Sequence, residues 1–142
     1  MGKYQRYAEE VLVAAFAERW DRNSDTVFSF GKDAGTGEVD GTIDGKVAVE
    51  IGVGSPKQIR AAVLDLMFHP FPMKMLILVD TPEHETGRSV RQAGAILAQA
   101  SKPGVVVRLT GTPSTPDDIY RTGRLPHRRA APNRRRRRRP PA

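Results

Sequence analysis

The sequence predicts an α/β sandwich around a mixed sheet, followed by a basic tail. Three observations carry this. The run MKMLILV (73–79) is continuously apolar, as expected of a strand buried on both faces in a parallel arrangement. Stretches with helical spacing of apolar residues alternate with strand-like runs. From Pro113 onward the composition changes to proline and arginine.

In chain order, residues 4–20 place Tyr4, Ala8, Val11, Leu12, Ala15 and Phe16 on one helical stripe, with Trp20 at its edge. TVFSF (26–30) suits a strand, and GKDAGTG is a loop. Two strands are expected at roughly 37–43 and 46–52 around an Asp44-Gly45 turn. Ser55-Pro56-Lys57-Gln58 reads as a helix start, with Ser55 the N-cap, Pro56 at the first position and Gln58 closing a capping box. His69-Pro70-Phe71-Pro72 ends that helix. A third helix is expected at about 86–100 and a last strand at 105–109. The order is α-β-β-β-α-β-α-β, within one domain over 1–112. Residues 113–142 form a low-complexity tail that is expected to be disordered.

The charge is segregated. The tail holds ten arginines against Asp117 and Asp118. Removing these from the 23 basic and 16 acidic side chains of the whole leaves 13 and 14 for residues 1–112. The net charge of +7 therefore belongs to the tail. With no cysteine there can be no disulfide or Cys-zinc site, and a reducing compartment is expected. No membrane span or secretion signal is apparent, so a cytoplasmic location is expected.

The acidic hairpin GEVDGTIDGKVAVEIG (37–52) raises the functional question. A two-residue Asp44-Gly45 loop would set its apolar residues on opposite faces. A three-residue loop, Ile43-Asp44-Gly45, pairs Thr42 with Lys46 and lets Val39, Ile43, Val47, Val49 and Ile51 bury together. Glu38, Asp40, Ala48 and Glu50 then share the other face, with Glu38 opposite Glu50 and Asp40 diagonal to it. Opposed like charges destabilise a sheet and call for solvent or a cation. The small residues Gly41, Ala48, Gly52 and Gly54 are expected to leave room beside the carboxylates. Mg²⁺, a hard ion often held by one or two carboxylates, suits such a pair, and Mn²⁺ is its substitute. The plain alternative is a solvated acidic hairpin.

This helix, three-strand meander, helix and buried strand, with Asp40 on the second strand and Glu50 on the third, resembles the PD-(D/E)xK nuclease superfamily, the restriction-endonuclease-like fold. The resemblance spans about residues 4–110. It implies that Asp40 and Glu50 hold Mg²⁺ and that the backbone carbonyl of Ile51 adds a ligand. It also implies that Glu9 is a first-helix acid, assisting through water. The motif lysine is missing, because Gly52 stands two residues after Glu50. Lys57 or Gln58 is the candidate substitute for positioning the attacking water.

No phosphate-loop spacing is present, and His69, His84 and His127 lack zinc-ligand spacing. Lys74 reads as a solvated strand-end charge. Arg134, Arg135, Arg136, Arg137, Arg138 and Arg139 form an electrostatic site for a polyanion, with DNA expected first and RNA as the alternative. The expected function is Mg²⁺-dependent hydrolysis of DNA phosphodiester bonds, in a chain that could form a homodimer. The rival is a catalytically degenerate nucleic-acid-binding or assembly module of the same fold, for which Gly52 speaks. A third reading is an unrelated small α/β protein with an acidic hairpin.

Overall fold

A computed structural model describes residues 2–100 and 102–110. The expected disorder of the tail and the Arg134–Arg139 site lie outside the described residues. Among these, eleven elements follow in order. Helix α1 (Lys3–Phe16) and a 3₁₀ turn (Ala17–Arg19) lead to short strands β1 (Trp20–Asp21), β2 (Val27–Ser29), β3 (Thr36–Glu38) and β4 (Gly41–Ile43). Then come β5 (Val47–Val53), α2 (Pro56–Phe68), β6 (Met73–Val79), α3 (Gly87–Gln99) and β7 (Gly104–Leu109). No helix among the described residues is long and apolar enough to cross a membrane.

The main sheet has the strand order β1-β4-β5-β6-β7. It is mixed: β1, β4 and β5 pair antiparallel, while β5, β6 and β7 run parallel. The odd residues of its central strands face α1. Val49, Ile51, Met75, Ile77 and Val107 pack there against Tyr7, Ala8, Val11, Leu12 and Phe16. The even residues face α2, where Ala48, Leu76 and Leu78 meet Ile59, Val63 and Leu66, with Ala93 of α3 in the same cluster. This two-sided burial is what the unbroken apolar run of β6 requires.

The hairpin differs in detail from its expected form. Two extra features appear: β1 forms directly after the 3₁₀ turn, and the expected 37–43 strand is two pieces. Val39 and Asp40 separate β3, which pairs with β2, from β4, which joins the main sheet. The break reverses Val39, which packs with Ala48 and Ile59 rather than with Val49 and Ile51. The turn residues are Asp44-Gly45-Lys46, not Ile43-Asp44-Gly45. Asp44 and Gly45 both have positive φ, 57° and 64°, and the Lys46 amide donates to the Ile43 carbonyl. Ile43 then pairs with Val47 and Thr42 with Ala48. Odd residues still pair with odd, so the burial argument holds for Ile43, Val47, Val49 and Ile51 but not for Val39, while the register moves by one pair.

The capping box of α2 is complete. Gln58 N donates to Ser55 Oγ at 3.3 Å, and Ser55 N donates to Gln58 Oε1 at 2.8 Å. At the other end of α2, Lys74 is only 2% exposed and its ammonium donates to the carbonyl of His69, the C-cap residue. The solvated reading of Lys74 is therefore wrong. The cation sits at the negative end of the helix dipole.

Candidate metal centre

The register that pairs Gly41 with Val49 sets Asp40 beside Glu50, displacing Glu38, which pairs with Val27 in the β2–β3 ribbon. Asp40 is held by two elements, β5 and α1. Its amide donates to Val49 O at 3.1 Å and to Glu50 Oε1 at 2.9 Å. Its carboxylate accepts from the Ile51 amide at 2.7 Å and from Gln5 Nε2 of α1 at 3.1 Å.

Glu50 points toward α2 and is 7% exposed. Burial, then a hydrogen bond with the Asp40 side chain and the negative charge of Asp40, push its carboxyl up to about 10. At neutral pH and without a cation it is a carboxylic acid. Asp65 of α2 belongs to the same field. Its carboxyl is pushed up by burial and by Asp40, and its charge in turn raises Glu50.

The other expected site residues are placed elsewhere or differently. Glu9 pairs with Arg22 at 3.3 Å and lines an open groove with Arg6, Val13 and Trp20. The α1 side chain that hydrogen-bonds Asp40 is Gln5, one turn earlier. Gln58 is engaged in the capping box, and Lys57 is exposed with no side-chain bond among the described residues. Ile51 takes part through its backbone amide, while its side chain is buried against α1.

The small residues do not leave room, contrary to expectation. A Cβ on Gly41 would lie 2.2 Å from the Trp20 ring, and one on Gly52 would lie 2.6 Å from Leu78 Cδ2 and 3.4 Å from Ile59 Cγ1. One on Gly54 would strike the Gln58 side-chain oxygen at 2.1 Å. Each glycine permits a close approach that is already filled. Position 52 therefore opens into the core under α2, not into a cleft.

Gln5 and Asp65 were not anticipated from the sequence. Gln5 stands one helical turn before Glu9, and Asp65 stands one heptad after Gln58 on the flank of the apolar stripe. Both signals were present as spacing, but neither residue type distinguishes itself from an ordinary exposed helix position.

Among the described residues no group of three or more His, Cys, Asp or Glu is arranged to hold a metal. Two converging carboxyl groups are the donor set available. They fit an ion such as Mg²⁺, which completes its shell with water, and they do not fit zinc. Compared with known proteins, the chain matches no family model, no curated protein and no solved structure.

Proposed function

We propose that this is a restriction-endonuclease-like domain in which Asp40 and Glu50 hold Mg²⁺ (or Mn²⁺) for hydrolysis of DNA phosphodiester bonds. The observation that carries the reading is the buried Glu50 carboxyl beside Asp40, which has no cationic side chain paired with it among the described residues and takes up a proton instead. A divalent ion meets the same need. The antiparallel β4-β5 pair followed by parallel β6 supports the fold reading, whereas the expected first meander strand at 26–30 lies in the separate β2-β3 ribbon and β1 takes its place beside β4.

The protein's own residues do the positioning. The Ile51 amide and Gln5 fix both oxygens of Asp40, and the Asp40 amide fixes Glu50 Oε1. The ion, once bound, would lower the pKa of a water and stabilise charge on the phosphate. Lys57, exposed near the start of α2 and without an ion pair among the described residues, would orient the water. The arginine tail would hold the polyanion without sequence choice, and a homodimer would present two such sites to a duplex. The lack of cysteine fits action in the cytoplasm.

The second reading is a degenerate nucleic-acid-binding module of the same fold. The closure of position 52 by Leu78 favours it, because no side chain there could serve the reaction. Supercoiled plasmid incubated with Mg²⁺ or Mn²⁺ separates the two. Nicking that requires metal and vanishes in Asp40→Asn and Glu50→Gln supports the nuclease. Binding without nicking supports the module, and nicking that survives both substitutions refutes the site.

A further inference from the structure

The outer face of α2 carries a feature the acidic pair does not explain. Lys57, Arg60, Leu64 and Phe68 recur at spacings of three and four, so they form one stripe on the helix. All four are exposed, Leu64 by 51% and Phe68 by 50%. The stripe is about 16 Å long at a rise of about 1.5 Å per residue. Its first half is cationic, and its second half is apolar.

The apolar end is extended by a second element. Phe30, beside the β2–β3 ribbon, meets Phe68 edge to face with ring centroids 5.2 Å apart. Phe30 is braced in turn by Phe28 at 5.1 Å, and Phe28 by His69 at 5.7 Å. His69 is fixed by bonds at both ring nitrogens, to the Phe71 amide and the Asp25 carbonyl. Phe68 is therefore an exposed ring on a rigid aromatic support. At the cationic end, the side chains of Lys57 and Arg60 make no ion pair or hydrogen bond among the described residues.

We infer that this stripe is a binding surface for single-stranded DNA, with bases stacking on Phe68 and Phe30 and phosphates held by Arg60 and Lys57. Cations unpaired among the described residues, in line with an exposed Phe68 ring and a half-buried Phe30 ring, match a ligand that is anionic along one edge and aromatic along the other. A protein partner would be served by the apolar end alone, leaving the cations without a role. The choice of DNA rests on the nuclease reading; the stacking surface itself does not.

The test measures fluorescence anisotropy of a labelled thymidine oligonucleotide with the full chain in EDTA, so that binding is read without any turnover. Phe68→Ala should weaken binding about tenfold, and Phe68→Tyr should restore it. Arg60→Ala should weaken binding and lower the slope of log affinity against log salt by roughly 0.7. The Phe68 effect should persist when Arg134–Arg139 are all replaced by serine. Photocrosslinking of a 4-thiothymidine oligonucleotide to the unmodified chain should label the peptide containing Phe68, which needs no variant to fold. Labelling confined to other segments would overturn the inference. So would equal affinity of Phe68→Ala and the parent chain at unchanged melting temperature. Loss of self-association in Phe68→Ala with unchanged oligonucleotide affinity would make the stripe a contact between copies, and would overturn it too. A surface confirmed in EDTA beside an absence of metal-dependent nicking would refute the nuclease reading alone.

Discussion

Asp40 grips Glu50 through its backbone: the Asp40 amide donates to Glu50 Oε1 at 2.9 Å, while the Asp40 carboxylate turns to the Ile51 amide at 2.7 Å. This crossed arrangement brings two acids together in a place where one is buried. Its consequence is a dependence of stability on pH. The Glu50 carboxyl is raised from 4.5 to about 10, so the folded chain holds a proton that the unfolded chain releases above 4.5. Stability is thus fully present below about pH 4.5 and declines as pH rises toward 10. The slope is up to about 1.4 kcal/mol per pH unit. Glu50→Gln keeps the shape without the proton and should remove this decline. Urea unfolding from pH 5 to 8 checks it; parallel curves for the two proteins would refute it.

Metal binding should counter the same effect. Added Mg²⁺ or Mn²⁺ should raise the melting temperature at pH 8, and Asp40→Asn should abolish the rise. Gln5 makes no claim on the ion but holds one oxygen of Asp40 at 3.1 Å. Gln5→Leu should therefore weaken metal binding by about tenfold, the lower end for groups that orient a ligand. Titration calorimetry with Mn²⁺ reads this directly.

Restoring the missing motif lysine should harm the protein. At position 52 even a methyl group would come within 2.6 Å of Leu78 Cδ2. Gly52→Ala should cost about 1–3 kcal/mol by overpacking, and Gly52→Lys more, since its ammonium would enter the core under α2. Shortening the neighbour with Leu78→Val should recover part of the Gly52→Ala loss. Additive effects in a double-mutant cycle would show that Leu78 is not the obstacle.

The parts of the fold that follow from burial and capping were legible in the sequence. The run 73–79 and the Ser55–Gln58 box appear as expected, because each depends on a few adjacent residues. The hairpin register was legible only in parity. The choice between a turn ending at Gly45 and one ending at Lys46 changes no apolar face, so hydrophobic patterning could not decide it. That choice nevertheless determines whether Glu38 or Asp40 adjoins Glu50. The break at Val39 and Asp40 was hidden for another reason. It depends on the β2–β3 ribbon, whose Thr26 carbonyl accepts from the Val39 amide at 2.9 Å across a distance in sequence. Gln5 and Lys74 likewise take their roles from elements that meet only in the folded sheet.

Lys74 supplies the last expectation, and it opposes the first. Burial pushes its ammonium down from 10.5 to about 8, with Lys102 adding a smaller effect of the same sign. Between these two values the unfolded chain holds a proton that the folded chain has lost, so stability rises with pH there. In the interval from about 8 to 10 this rise runs against the decline due to Glu50. The parent chain should therefore lose stability from pH 5 to 8 and then level off. Lys74→Met fills the same volume without the charge, and its stability should go on falling to about pH 10. At pH 7 it should differ from the parent by no more than about 1 kcal/mol, since relief of the buried charge offsets the lost bond to His69 O. Glu50→Gln should do the reverse, remaining level to pH 8 and rising beyond it. Melting curves of the three proteins across this range decide the matter, and a parent curve that continues to fall above pH 8 would place the Lys74 proton outside the interval.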